Sequence, residues 1–195
     1  MMNHEFFKWD FRFLEMARQV SLWSKDPSTK IGAIAVGLDG QILTQGYNGF
    51  PRGVEDLASR LNNREVKYDF VVHAEMNCIF NACLSGITLK DSTLYVFGLP
   101  ICHRCTPGII QVGVKKVVMA YDGENTKWMD SWKLSQTMLD EAGIDYIGFK
   151  YTGKHWDVTA GLDQSCQSKH ALGFGHNPVS RAKSFSETKQ HKPNI

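Results

Sequence analysis

The sequence lacks any apolar run long enough to cross a membrane, and it lacks a strong excess of charge of either sign. Lys and Arg number 22 and Asp and Glu number 20, so the net charge is +2, too balanced to favour a nucleic-acid partner by itself. Its N-terminus has no signal-peptide pattern, and its five cysteines are an odd number, which suggests a reducing compartment. We therefore expect a cytoplasmic protein without a membrane or nucleic-acid partner.

What the chain does have is enough apolar content for one core, with 43% hydrophobic residues in a length of 195. Regular apolar patterns run through residues 1–151, which we expect to form one domain. Residues 152–195 are polar and have no apolar period, which predicts a C-terminal tail that is partly disordered, above all over 175–195.

The apolar periods predict a hairpin followed by alternating helices and strands. Asp39-Gly40 is a hairpin turn signal between two strands, and residues 54–70 are polar. We expect strands at 31–36, 41–47, 93–97, 116–121 and 145–151, and helices at 4–25, 73–84, 102–113 and 127–141. The predicted fold is therefore an α/β class three-layer α/β/α sandwich with a mixed five-stranded sheet, whose last three strands run parallel.

Two predicted helices carry predictions about buried side chains. The aromatic residues of helix 4–25 are interpreted as core. Helix 73–84 is expected to face inward with Met76, Ile79, Phe80 and Cys83, and Cys78 and Cys83 are predicted to be free core thiols.

Two short motifs combine the residue types of a metal-dependent hydrolytic site. His73-Ala74-Glu75 comes first, and Cys102-His103-Arg104-Cys105 follows. A catalytic zinc takes three protein ligands and keeps one position for water, whose pKa it lowers toward neutrality. One His, an acid two residues later and a distant Cys-x-x-Cys pair are the set found in zinc deaminases. We predict His73, Cys102 and Cys105 as ligands and Glu75 as the proton carrier.

Each motif alone has a plainer interpretation. His-x-Glu is usually accidental, and Cys-x-x-Cys is more often half of a structural zinc site or a redox pair. The two motifs in this order, each followed by a helical pattern, favour the catalytic site.

The segment Gly46-Tyr47-Asn48-Gly49-Phe50-Pro51-Arg52-Gly53 has three glycines, one proline and no period, which predicts a loop. Such a loop lets the backbone approach a ligand closely, although composition alone does not exclude an ordinary connection. Cations near it offer partners to a phosphate, although solvated surface is the better interpretation of each one taken singly: Arg52, Arg60, Arg64 and Lys67.

These motifs resemble the cytidine/deoxycytidylate deaminase superfamily, and within it the deoxycytidylate (dCMP) deaminases. The resemblance covers about residues 5–150. It rests on the zinc motifs, on the glycine loop and on three segments: 26–33 (DPSTKIGA), 73–77 (HAEMN) and 138–144 (MLDEAGI). One departure is that the family usually has Pro directly before the first site Cys, whereas this chain has Ile101 there and Pro100 one residue earlier.

The resemblance implies hydrolytic deamination of dCMP at C4 to dUMP and ammonia, with Zn²⁺ held by the three ligands and protons carried by Glu75. It also implies residues that bind the substrate. The backbone near Ala74 would hold the pyrimidine, Asn48 would contact the sugar, and Ser28, Lys30 and Arg52 are candidates for the 5′-phosphate.

The resemblance further implies a homohexamer activated by dCTP and inhibited by dTTP, with Asn48 and Gly49 in the effector site. Mg²⁺ would accompany such triphosphates, and the product dUMP would supply thymidylate synthesis. Three other functions stay open. The chain could deaminate another cytosine substrate (dCTP, cytidine, the free base or an RNA base), it could be a zinc-stabilised regulatory protein, against which Glu75 counts, or it could be a redox protein using Cys102 and Cys105.

Overall fold

The computed structural model describes residues 7–121, 128–153 and 156–158. The helices are α1 (Lys8–Ser21), α2 (Ala58–Leu61), α3 (Arg64–Phe70), α4 (Ala74–Leu84), α5 (Thr106–Gln111) and α6 (Met129–Glu141). The strands are β1 (Gly32–Val36), β2 (Ile42–Tyr47), β3 (Thr93–Gly98), β4 (Lys116–Tyr121), β5 (Asp145–Tyr151) and β6 (Trp156–Val158). They form one sheet in the order β2-β1-β3-β4-β5-β6.

The sheet is covered on both faces, which confirms the predicted three-layer sandwich. Strand β3 alternates between the two layers, as its period of two requires: Leu94 and Val96 pack on the side of α4, α5 and α6, while Tyr95 and Phe97 pack on the side of α1. The hairpin of β1 and β2 is antiparallel, and β3, β4 and β5 are parallel, as predicted.

The sheet has six strands rather than the predicted five. The sixth, β6, pairs antiparallel with β5 through Phe149 and Val158, so the sheet continues past residue 151. Three residues are too few to show a period in the sequence, which explains the miss. The tail predicted beyond this strand lies outside the described residues.

Helix α1 buries one side and exposes the other, so the prediction that its aromatic residues are core is only partly correct. Trp9 is 39% exposed and Trp23, beyond the helix end, is 57% exposed. Trp23 packs edge-on against Tyr47 on the surface, with ring centroids 6.1 Å apart. The inward side consists of Phe7, Phe11, Phe13, Leu14, Ala17 and Val20.

The polar segment 54–70 contains two short helices that the sequence did not reveal. Helix α3 begins after Asn63, whose side chain accepts hydrogen bonds from the amides of Glu65 and Val66, the N-cap arrangement. Lys67 on this helix is only 6% exposed. The interpretation of Lys67 as solvated surface is therefore wrong, since its charge has partners inside the protein.

Helix α4 presents a different side to the core than predicted. Phe80 is 48% exposed and Cys83 is also exposed, so neither is a core residue. The inward side consists of smaller residues: Ala74, Glu75, Cys78, Ile79 and Ala82. The cause is close packing against β2, because a Cβ on Gly46 would lie 2.2 Å from the Cys78 amide nitrogen.

Helix α4 also bonds to the outer strand β2 through its polar side chains. Asn77 donates to the carbonyl of Tyr47 at 2.8 Å, and Asn81 donates to the carbonyl of Gln45 at 2.7 Å. These bonds fix the start of α4, which carries the first site motif, against the hairpin.

Across the described residues, no helix is both long enough and apolar enough to span a bilayer.

Candidate active site

The three predicted metal ligands meet at one point between α4 and the turn before α5. His73 is the N-cap residue of α4, and Cys105 is the N-cap residue of α5. The Nδ1 atom of His73 lies 3.4 Å from the sulfur of Cys102 and 3.3 Å from that of Cys105, and the two sulfurs are 3.6 Å apart. Cys102 lies 29 positions after His73 in the sequence, and the fold brings the two motifs together.

These distances fit a tetrahedral zinc ion. Zinc–sulfur bonds of about 2.3 Å and zinc–nitrogen bonds of about 2.0–2.1 Å hold ligand atoms roughly 3.5–3.8 Å apart in a tetrahedron. The cluster of His73, Cys102 and Cys105 offers one ligand atom each within 4.8 Å. Three ligands leave a fourth position, the arrangement of a catalytic rather than a structural ion.

The turn at residues 102–105 is held by the carbonyl of Cys102. This oxygen accepts from the amides of Cys105 and Thr106 and from the Thr106 hydroxyl. Helix α5 therefore begins at Thr106, four residues later than predicted, because the cysteine pair forms the turn before the helix. Both sulfurs point to the same side of that turn.

The electrostatics of the metal-free site favour a thiolate. Hydrogen bonds from Cys105 and His73 lower the pKa of Cys102 to about 3, although burial opposes this. The pKa of His73 is raised, chiefly by its hydrogen bond to Cys102. A sulfur that is already deprotonated is ready to bind a cation.

Glu75 is buried beside this cluster, at 3% exposure. Its Oε2 atom has no hydrogen-bond partner among the described residues. Burial raises the pKa of this carboxyl, because a carboxylate loses hydration in the interior. An acid that can gain and lose a proton therefore lies buried beside the three predicted ligands, with one oxygen unpaired among the described residues.

Asn48 holds the loop between α1 and β1. Its side-chain oxygen accepts from the amide of Ile31 at 2.8 Å, and its amide donates to the carbonyl of Thr29 at 2.9 Å. It is 3% exposed. The residue predicted to contact the sugar thus fixes the position of the segment that carries Ser28 and Lys30.

That segment borders a cavity of about 440 Å³ at the carboxyl end of β3. Ser28 and Lys30 line it together with Leu99, whereas neither Glu75 nor any of the three predicted metal ligands does. Arg18 of α1 lines it too and was not singled out from the sequence, where an i,i+3 pairing with Glu15 is its only signal. Two of the three predicted phosphate residues therefore share one cavity.

The third, Arg52, is elsewhere. Its guanidinium donates to the side-chain oxygen of Asn81 on α4, and it does not line the cavity. Arg52 is exposed, and Asn81 is half-buried.

Comparison with known proteins assigns this geometry to a family. The family described as "Cytidine and deoxycytidylate deaminase zinc-binding region" matches residues 7–121, more than half of the chain. The chain belongs to this family. The predicted resemblance is confirmed, and the metal that the family definition names is the one the ligand geometry fits.

Two relatives and one solved structure show how near the similarity is. A "Probable deoxycytidylate deaminase" of Caenorhabditis elegans is 43% identical over 138 residues, which are 69% of this chain and 66% of that protein, just under two thirds. An "Uncharacterized deaminase in luxG 3'region" of Aliivibrio fischeri is 38% identical over 140 residues, 71% of this chain and 91% of that protein. The crystal structure of the dCMP deaminase of cyanophage S-TIM5 in complex with dCMP and dUMP has a TM-score of 0.56 at 27% identity, over 72% of this chain and 96% of that one.

Within this deaminase family, the departure at Ile101 has a structural reason. Ile101 is fully buried, its amide donates to the sulfur of Met119, and its carbonyl accepts from the Ser135 hydroxyl. A proline at this position would have no amide to donate. The zinc-binding turn is therefore held to β4 and α6 by two backbone contacts of residue 101, and the one made by its amide excludes proline.

The glycines of the loop motif are required for different structural reasons, and one of them is not required by packing at all. Gly46 is required by α4, as described above, and Gly53 has a φ of +80°, which favours glycine. A Cβ on Gly49 would meet only the Tyr47 ring, at 3.7 Å, an ordinary contact. No contact within the described chain requires glycine at position 49, which leaves room there for a ligand or a second chain.

Proposed function

We propose that the protein is a zinc-dependent deaminase that hydrolyses dCMP to dUMP and ammonia, and that its dUMP supplies thymidylate synthesis. The observation that carries the proposal is the unpaired Oε2 atom of buried Glu75 next to three ligand atoms spaced for zinc. The substrate class rests on the relatives, since one structural neighbour is a dCMP deaminase in complex with dCMP and dUMP.

His73, Cys102 and Cys105 would hold the ion, which when bound supplies a water acidic enough to ionise near neutral pH. Glu75 takes a proton from the attacking water and passes it to N3 of the cytosine. Glu75 then takes the remaining proton of the hydroxyl at C4 and gives it to the amine as the C4–N bond breaks, so that water and dCMP yield dUMP and ammonia. A carboxyl with a raised pKa suits both directions of transfer.

Several residues are proposed to hold the substrate. The backbone amide of Ala74 lies in the first turn of α4, where amides have no partner within the helix, and would bind the pyrimidine. Asn48 would contact the sugar, since one amide hydrogen remains after its bond to Thr29. Ser28, Lys30 and Arg52 are the proposed phosphate residues, and the cavity at the end of β3 supports the first two.

Regulation and assembly are proposed from the resemblance. dCTP would activate and dTTP inhibit a homohexamer, with Mg²⁺ accompanying the triphosphates. Asn48 and Gly49 would contribute to the effector site, and the open space at Gly49 supports this placement.

The experiment is ammonia release from zinc-loaded protein offered dCMP, dCTP, deoxycytidine, cytidine and CMP separately. dCMP turnover is the expected result, and a rise with dCTP and a fall with dTTP would support the regulation. Turnover of dCTP itself would indicate a wider pocket. No turnover of any of the five, with one zinc bound per chain, would contradict the proposal and favour a base, RNA or non-catalytic function.

A further inference from the structure

An ammonium group is buried next to the cavity and takes no part in the mechanism above. The Nζ atom of Lys67 donates to Oδ1 of Asp26 at 2.9 Å and to the hydroxyl of Ser28 at 2.7 Å. Both side chains of the ion pair are 8% exposed. Forty-one positions separate Lys67 and Asp26 in the sequence, so this contact joins α3 to the loop before β1.

The Asp26 carboxylate organises that loop. Its Oδ1 atom also accepts from the Ser28 amide, the Ser28 hydroxyl and the Thr29 amide. Together with the two bonds of Asn48, these contacts fix the segment on which Lys30 reaches the cavity. Lys67 is what ties this segment to a helix.

The same contacts determine what the loop can offer to a ligand. Ser28 uses both its amide and its hydroxyl proton on Asp26, and its oxygen accepts from Lys67. Ser28 therefore shapes the loop, and it would contact a phosphate as proposed only by releasing a bond to Asp26. Lys30 is exposed and has its ammonium available for the negative charge of a phosphate.

We propose that Lys67 is a positioning residue for the phosphate end of the substrate. By holding Asp26 and Ser28, it fixes the loop that presents Lys30 to the cavity, and it thereby sets the affinity for nucleoside monophosphates over nucleosides. The inference rests on the proposed function. It assigns Lys67 no contact with substrate and no part in proton transfer.

The test is steady-state kinetics of Lys67→Met on dCMP, with Asp69→Asn as the control from the exposed side of the same helix. We expect KM for dCMP to rise about tenfold or more in Lys67→Met while kcat stays within about twofold, the pattern of lost uniform binding. Asp69→Asn should leave both constants unchanged.

Product binding supplies a readout that needs no turnover. In calorimetry, Lys67→Met should bind dUMP more weakly while its affinity for deoxyuridine, which has no phosphate, is unchanged. Amide exchange at Ser28 and Thr29 should quicken in the same variant. If Lys67→Met leaves Asp26 buried without a partner and folds poorly, the double variant Asp26→Asn/Lys67→Met removes both charges and should show the same KM and dUMP effects.

Two results would overturn the inference: unchanged dUMP affinity in a folded variant with faster exchange, or an equal loss for dUMP and deoxyuridine, which indicates a purely structural role. Failure of the wild-type protein to deaminate dCMP would contradict the proposed function instead. In that case the exchange and dUMP measurements still decide whether Lys67 orders the loop for phosphate binding.

Discussion

Two parts of the candidate site, here the metal wall and the loop wall, are built in different ways. The metal wall is made by two short motifs, each within one turn of chain, and its ligands Cys102 and Cys105 are three residues apart. The wall formed by the loop before β1 is held by contacts between distant residues: Asp26 with Lys67, and Asn48 with Thr29. The residues proposed to catalyse the reaction therefore come from short sequence motifs, whereas the proposed binding of the phosphate depends on polar contacts between residues far apart in the sequence.

This difference predicts which part of the site tolerates amino-acid substitutions better. A substitution in the metal wall removes a ligand or a proton carrier, and no neighbour can replace it. A substitution in the loop wall removes one of several bonds to the same loop, so we expect graded effects on binding. Four predictions test this contrast.

The largest effect is expected from Cys102→Ala. Two remaining ligands hold zinc poorly, so we expect loss of stoichiometric zinc and of all measurable deamination, as checked by metal analysis and ammonia release. The matched control is Cys83→Ala, which removes an exposed thiol on α4. Full activity of Cys102→Ala would exclude the proposed ligand set.

Glu75→Gln should separate metal binding from chemistry. The amide fills the same space but cannot carry a proton, so kcat should fall at least about a hundredfold while one zinc per chain remains bound. The measurements are zinc content and dCMP turnover on the same sample. A near-normal kcat would mean that another group carries the proton.

Two nearby glycines, Gly46 in β2 and Gly49 in the loop after it, allow a stability comparison. Gly46→Ala places a Cβ against the backbone of α4, and we expect a loss of about 1–3 kcal/mol of unfolding free energy, or more. Gly49→Ala should change stability by less than about 0.5 kcal/mol, while weakening the response to dCTP. Chemical denaturation checks the first effect, and activation curves check the second. Equal destabilisation by both would contradict the described packing.

The ion pair of the loop wall should give a pH dependence. Burial raises the pKa of Asp26, but hydrogen bonds from Lys67, Ser28 and Thr29 outweigh it and lower the pKa below its usual value of 3.8. The stabilisation is therefore complete above about pH 4 and is lost as pH falls through the lowered pKa. We expect this loss in acid denaturation of the wild-type protein and not in the Asp26→Asn/Lys67→Met variant.

The metal wall could be predicted because its information is local. A ligand pair three residues apart and an acid two residues after a histidine are visible in any reading of the chain. The bounds of β4 and β5 matched the predicted 116–121 and 145–151. Strand β4 is a nearly continuous apolar run, as expected of a buried parallel strand.

The burial of Lys67 and the exposure of Phe80 depend on contacts between distant residues, which no spacing pattern in the sequence reveals. Lys67 looks like surface because nothing near it in sequence is acidic and buried, and its partner Asp26 lies 41 positions away. Phe80 looks like core because it is large and apolar, but α4 packs so closely on β2 that only small side chains fit between them.

The asparagine contacts of α4 also bear on how copies of this protein could associate. An outer strand normally displays carbonyl groups to which another strand can add, yet the carbonyls of Gln45 and Tyr47 already accept from Asn81 and Asn77. The hairpin edge is thereby a poor template for β-aggregation. A proposed hexamer that used this side of the molecule would associate through side chains. Its subunits could then separate without breaking backbone hydrogen bonds between strands.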